Sequence, residues 1–304
     1  MQEIIEDDNL TYVFSSKWGT FGTGSGQFNQ PICVALDSSG NVFVTDGGNH
    51  RIQKFTSTGG FLASWGTFGT GLSQFRGPTG IAVESSGAVY VCDTYNNRIQ
   101  KFRNDGGFIR TWGTSGSGNG EFNEPYGIAV DSSNNVFVTD FENHRIQKFT
   151  NTGTFITSWG TFGSEVEKFK FPWAVAVDSS GAVCVVDSGN NRIQKFTNTG
   201  TFIRTWGGSG SENGQFSSPT GIALDSSANV YTADFGNYRI QKFETKGIFT
   251  TKWGSQGSAD GQFRYPFGIA VKPAKVSFLE ERVFVADSQN HRIQVFKPKL
   301  VVNP

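Results

Sequence analysis

The sequence predicts an all-β fold: a six-bladed β-propeller of four-stranded antiparallel blades, its ring closed by an N-terminal strand that completes the last blade. Three observations carry this expectation. Six tryptophans (Trp18, Trp65, Trp112, Trp159, Trp206, Trp253) stand 47 residues apart, and six prolines (Pro31, Pro78, Pro125, Pro172, Pro219, Pro266) keep the same step. A strict long period marks one supersecondary unit copied in tandem, each copy burying a face it could not bury alone. Each copy then reads as four short runs of β-formers separated by turn clusters, the pattern of a propeller blade. Finally, the last copy ends at Arg292–Phe296 with no fourth run, while residues 11–18 form an orphan fourth run in phase with Phe61–Trp65.

The second copy shows the elements in order. Gly80-Ile81-Ala82-Val83 is a small, apolar first strand, and Glu84-Ser85-Ser86-Gly87 a turn. Ala88–Asp93 alternates as a second strand, Thr94–Asn97 turns, and Arg98–Phe102 is the third. Asn104–Gly107 is a hairpin turn before Phe108–Trp112, the fourth, and a Gly-rich stretch then leads to the next proline. First strands should lie nearest the axis, where backbones crowd. The position two after each proline is accordingly small (Cys33, Gly80, Gly127, Ala174, Gly221, Gly268), and two further on Ala stands in all six copies, from Ala35 to Ala270. The domain organisation is therefore an acidic leader at 1–10, one propeller domain at 11–296 and a tail at 297–304.

Composition narrows the function classes. With 26 basic and 26 acidic residues the formal charge is zero, so no global field favours nucleic acid or anionic lipid. No apolar run approaches the roughly 20 residues that span a bilayer, and Met1–Asp8 lacks the apolar core of a signal peptide. A surface rich in Ser, Thr, Asn and Gly leans toward an extracellular or cell-surface setting. The three cysteines, Cys33, Cys92 and Cys184, sit inside apolar strand patterns, and no pair has metal-ligand or redox spacing.

The shared motif, Pro-x-Gly-Ile-Ala-Val-Asp followed by Val-x-Asp-x-x-Asn-x-Arg-Ile-Gln-Lys-Phe, resembles the NHL repeat, as in Asn49–Phe55 and Asn143–Phe149. No Trp-Asp dipeptide occurs, which argues against WD40 blades. The resemblance implies a six-bladed propeller used mostly as a binding platform. Members include ectodomains of bacterial receptor kinases, C-terminal domains of tripartite-motif ubiquitin ligases, RNA-binding translational repressors and a minority of lyases.

Repeated polar residues read first as scaffold. The Asp closing each second strand lies five residues before an Arg: Asp46 and Arg51, Asp93 and Arg98, Asp140 and Arg145, Asp187 and Arg192, Asp234 and Arg239, Asp287 and Arg292. Such a pair can pin a tight turn by a charge-assisted bond; a ring of carboxylates holding a metal is the alternative. The lyase branch implies a zinc held by several histidines, but the three here, His50, His144 and His291, share one turn position around the ring and are not expected to converge. No Ser-His-Asp or Cys-His set can be assembled either. No cofactor, metal or catalytic residue is predicted. In the long loops of one face the cations Arg76, Lys168, Lys170 and Arg264 face the acids Glu121, Glu124, Glu142, Glu165, Glu167, Glu212 and Asp260, a poor footprint for phosphates.

What departs from the period is where a specific function can lie. Trp173 is out of phase and follows Pro172, where the other copies carry Ile32, Thr79, Tyr126, Thr220 and Phe267. These six should ring the channel mouth, joined by Phe171 and Tyr265, by Tyr95, Phe141, Phe235 and Tyr238 on the neighbouring turns, and by the interspersed Arg76, Lys170 and Arg264. Aromatics with interspersed cations are the usual make-up of a recognition surface, and Tyr126, Trp173 and Phe267 are placed to clamp an extended ligand between them. The second departure is a turn lengthened by six residues between Val271 and Val283, expected as an extended surface hairpin. The predicted function is a non-enzymatic module binding a protein, peptide or glycan. An RNA-binding propeller and a metal-dependent lyase or hydrolase are the alternatives.

Overall fold

A computed structural model describes residues 10–272 and 278–301. Six four-stranded antiparallel sheets follow one another around an axis. Blade 1 consists of Pro31–Leu36, Val42–Asp46, Arg51–Phe55 and Phe61–Trp65, from axis to rim. Blades 2 to 5 repeat the order, with third strands Arg98–Phe102, Arg145–Phe149, Arg192–Phe196 and Arg239–Phe243. Blade 6 takes Pro266–Lys272, Arg282–Asp287 and Arg292–Leu300 from the end of the chain and its outer strand, Leu10–Trp18, from the beginning.

The core is not one mass but six seams between adjacent blades. The seam of blades 1 and 2, for example, gathers Phe43, Ile52, Phe75, Val91 and Phe102, with Trp65 packed against it. Each repeat tryptophan bridges such a seam: Trp65 lies 6.2 Å from Phe43 in its own blade and 6.0 Å from Phe102 in the next. Its face also receives the hairpin of the next blade, where Gly106 stands at φ +90 and a Cβ would come within 2.8 Å of the indole. Only glycine fits there. At the axis, a Cβ on Gly80 would lie 2.3 Å from the Tyr126 carbonyl oxygen, so small inner residues let neighbouring blades approach to contact. The channel they leave is narrow, about 80 Å³.

Ring closure follows the expected register and goes further. Trp18 pairs with Ile293 and Phe14 with Phe296, and the ladder continues to Leu10 opposite Leu300. Residues 297–300, assigned to a tail from sequence, are therefore in the sheet; 302–304 and the leader up to residue 9 lie outside the described residues. The lengthened turn of blade 6 has residues 273–277 outside them too, but its return is described and has a structural role. Glu281 is buried, and its Oε1 accepts hydrogen bonds from the hydroxyls of Tyr12 (2.6 Å) and Tyr231 (2.8 Å). Tyr12 also stacks on Trp253 at 4.3 Å. A latch thus joins blade 5, the end of the chain and its beginning. Burial pushes the Glu281 carboxyl up, opposed by the two tyrosine hydrogen bonds.

Candidate functional site: an aromatic channel mouth

All six Asp–Arg pairs form at 2.7–2.8 Å, with each Asp side chain fully buried. In blade 3 the Asp140 carboxylate accepts from Arg145 Nε, Asn143 Nδ2, Gln147 Nε2 and the Asn123 backbone N–H. Arg145 reaches on to the Gly118 and Glu121 carbonyls. One carboxylate therefore ties together the turn, the third strand and the preceding long loop. Burial raises the carboxyls of Asp140, Asp187 and Asp287 even against these donors, so each pair carries a desolvation cost.

The histidines sit on the same face, each as the left-handed residue that ends its turn. The Nδ1 atoms of His50, His144 and His291 accept the backbone N–H of Gly77, Phe171 and Gln30 at 3.1–3.2 Å. Asn97 and Asn191 perform the same task in blades 2 and 4 through Oδ1. Each His ring also meets an exposed Phe: Phe68, Phe162 and Phe21, at 4.9–5.0 Å. Spread around the ring and each committed to its own loop, they do not converge. Among the described residues no three His, Cys, Asp or Glu side chains group to hold a metal ion.

Burial lowers all three histidines from their ordinary value, against the raising influence of nearby carboxylates, Glu142 foremost for His144 and Asp46 for the other two. A folded-state pKa below the unfolded one means that the neutral ring is favoured by folding. That contribution is complete above the unfolded value, near 6.5, and is lost as pH falls through the folded value. The melting temperature should therefore drop modestly between about pH 7.5 and pH 5.5. A variant with His50→Asn, His144→Asn and His291→Asn, which keeps the acceptor, should show a smaller drop in differential scanning fluorimetry.

The aromatic residues singled out in the sequence do meet. Trp173 lies 4.6 Å from Tyr126, 5.3 Å from Phe141 and 5.7 Å from Phe267. From Phe141 the path runs through Phe171 to His144, at 5.1 and 4.9 Å. From Phe267 it runs through Phe235 (4.9 Å) and Tyr265 (4.6 Å) to Tyr238 (5.3 Å). Phe171 and Tyr265 are more than a third exposed, whereas Tyr126, Trp173 and Phe267 are half-buried. Trp173 thus contacts both of the residues expected to clamp a ligand with it, Tyr126 and Phe267, and the three rings border one open volume at the mouth. That volume, about 340 Å³, is lined on its other sides by residues of blades 1 and 2, among them Gly47, Gly48 and Gly77. Arg76, Lys170 and Arg264 occupy one repeat position in alternate blades, and each donates its backbone N–H to the motif Asp, of the same blade, at 2.8 Å. Lys170 extends over Phe162, its Nζ 5.6 Å from the ring. The cations thus flank the aromatic path rather than cluster.

The NHL repeat family model matches residues 28–55, 75–102, 122–149, 169–196 and 216–243, each running from the buried loop Phe to the end of a third strand. This chain is a propeller of NHL repeats. The sixth blade has the same third-strand start, Arg292-Ile293-Gln294, after its lengthened turn. Single-blade stretches of the NHL propeller are 43% identical over 49 residues to the B-box type zinc finger protein ncl-1 of Caenorhabditis elegans. They are 45% identical over 47 residues to the human E3 ubiquitin-protein ligase TRIM32, and 50% over 48 to human NHL repeat-containing protein 3. Each match covers 15–16% of this chain and 6%, 7% and 14% of those proteins. Among solved structures, a streptogramin B lyase superposes with a TM-score of 0.64 at 17% identity, over 96% of this chain and 98% of that one. A protein of unknown function from Bacteroides thetaiotaomicron gives 0.70 at 15%, over 95% and 76%. At such identities the likeness is one of fold.

Proposed function

We propose that this NHL propeller is a non-enzymatic platform that binds a protein or peptide segment across the channel mouth. The observation that carries this reading is the unbroken path of aromatic rings, half-buried at the axis and more exposed toward the rim. Large rings fixed by their neighbours offer contact area with little conformational freedom left to lose, the property of interface anchors. The flanking cations are too few and too dispersed for a phosphate track. The histidines, which a lyase reading would need at the axis, are each engaged with a loop backbone and a phenylalanine.

Trp173→Ala is the test. Loss of a central anchor costs about 2 kcal/mol or more in binding, roughly a 30-fold rise in Kd. The partner, isolated with the wild-type domain as bait, should show that rise by calorimetry, with a shallow dependence on salt. The melting temperature should move by only a few degrees, because Trp173 is only half-buried at the mouth. Binding undiminished in the variant would overturn the proposal. Affinity for RNA with a steep salt slope would replace it with the nucleic-acid alternative.

A further inference from the structure

The recess at the mouth is lined by two glycines where other blades carry larger residues. Where blade 1 has Gly47, the other blades carry Thr94, Phe141, Ser188, Phe235 and Ser288. Where blade 2 has Gly77, they carry Gln30, Glu124, Phe171, Ser218 and Tyr265. Backbone geometry does not require either glycine. Gly47 is outside the left-handed region, and a Cβ there would press chiefly on the Ile32 side chain. Gly77 has φ 59, but Phe171 and Tyr265 hold the same conformation at φ 53 and 60 with full rings. Blades 3 and 5 carry a ring at the first position and blades 4 and 6 at the second; here only the Ile32 side chain crowds Gly47, while the Tyr95 ring, 2.7 Å from where a Gly77 Cβ would stand, lies over the second glycine and forms the wall there.

The lining selects a ligand chemistry. Rings of Tyr95, Tyr126, Trp173 and Phe267 form its walls, and no Lys, Arg, Asp or Glu lines it. A charged group would lose hydration there with no counter-ion, whereas a flat ring gains edge and face contacts with four others. The polar lining is sparse. Thr79 already bonds Thr94 and the Tyr126 carbonyl, and His50 Nδ1 accepts from Gly77, which leaves Nε2 to carry the proton and donate. At about 340 Å³ the recess is at the small end of ligand sites, which run from roughly 300 to 1,000 Å³. Tyr126, Trp173 and Phe267 belong both to it and to the aromatic path, so chain flanking a bound ring would continue onto that path.

We infer that the recess receives one neutral aromatic ring with a polar edge atom, a phenol or an indole, presented by an extended segment of the partner. This rests on the platform reading above and specifies its anchor. The test follows the side-chain N–H resonances of the seven tryptophans by ¹⁵N NMR, with Trp173 assigned through Trp173→Phe. Probes are capped peptides of tyrosine, leucine or lysine between glycine pairs, and 4-methylphenol. The tyrosine peptide and 4-methylphenol should shift the Trp173 signal, the leucine peptide should bind at least about ten-fold more weakly, and the lysine peptide should not bind. About ten-fold corresponds to the loss of ring-specific contacts. Gly47→Phe installs the residue blade 3 carries there and should weaken the tyrosine peptide at least about ten-fold, while Gly47→Ser, as in blade 4, should not. Gly77→Tyr, as in blade 6, is the second blocking variant if Gly47→Phe melts early. Equal binding of leucine and tyrosine, or tyrosine binding untouched by a folded blocking variant, would overturn the inference. If that untouched binding is still lost in Trp173→Ala, the recess assignment fails and the platform survives.

Discussion

A chain that begins at Gly19 is expected to be largely unfolded or aggregated at physiological temperature. Removing Leu10–Trp18 strips the outer strand from blade 6 and exposes the Arg292–Leu300 edge to pairing with other chains. It also takes Trp18 from the seam of blades 6 and 1, and Tyr12 from the seam of blades 5 and 6. Loss of a buried aromatic such as Tyr12 costs about 3–5 kcal/mol, the partly buried Trp18 adds to that, and a folded domain holds only about 5–15 kcal/mol in all. Glu281, raised in pKa and buried, would also lose the Tyr12 hydroxyl that donates to it. Size-exclusion chromatography and a thermal melt read the outcome. A peptide of residues 10–18 supplied in excess should recover part of the lost stability. A truncated chain that stays monomeric with an unchanged melting temperature would contradict the closure argument.

Asp140→Asn is expected to be strongly destabilising, as the equivalent change in any of the six pairs should be. The carboxylate accepts from four donors, and an amide in its place must turn an N–H toward one of them. Arg145, only 13% exposed in its side chain, would be left without its counter-charge. Breaking one partner out of a buried pair costs about 3–5 kcal/mol, roughly 6–12 °C in melting temperature at this scale. Metal analysis of wild type and variant should be the same. A stoichiometric divalent ion in the wild type, removed by Asp140→Asn, would instead make the carboxylate a ligand and favour the hydrolytic alternative.

Why some of this was readable in the sequence and some was not comes down to distance along the chain. Asp140 and Arg145 are five residues apart across a turn, so their pairing follows from local geometry. The small residues at Gly80 and Gly127 announce the axis because crowding there acts on every copy alike. Trp173 stands out because it breaks a period. Its contact with Phe267, however, depends on the radius of the closed ring, which no spacing reports. The recess leaves a fainter mark, because Gly47 and Gly77 depart from the period by lacking a side chain rather than by adding one. The histidine pairs left a legible trace. His50 and His144 each precede a Phe by 18 residues (Phe68, Phe162), whereas Asn97 and Asn191 precede Ser115 and Ser209 by the same step. The extension to Leu300 was hidden because Lys297-Pro298-Lys299 has the look of a terminus rather than a strand.

A ring of near-copies faces a matching problem during folding, since any outer strand could in principle complete any blade. Tyr12 answers it. Counted by the repeat, it stands one period before Gly59, the hairpin glycine whose place against Trp18 admits no side chain. In blades 1 to 5 a tyrosine there would collide with the preceding tryptophan. Only at blade 6, where no hairpin precedes the outer strand, can the ring lie flat on Trp253 and reach Glu281. The same residue that fastens the circle therefore acts as a key that fits a single lock, the one junction with no hairpin glycine over its tryptophan.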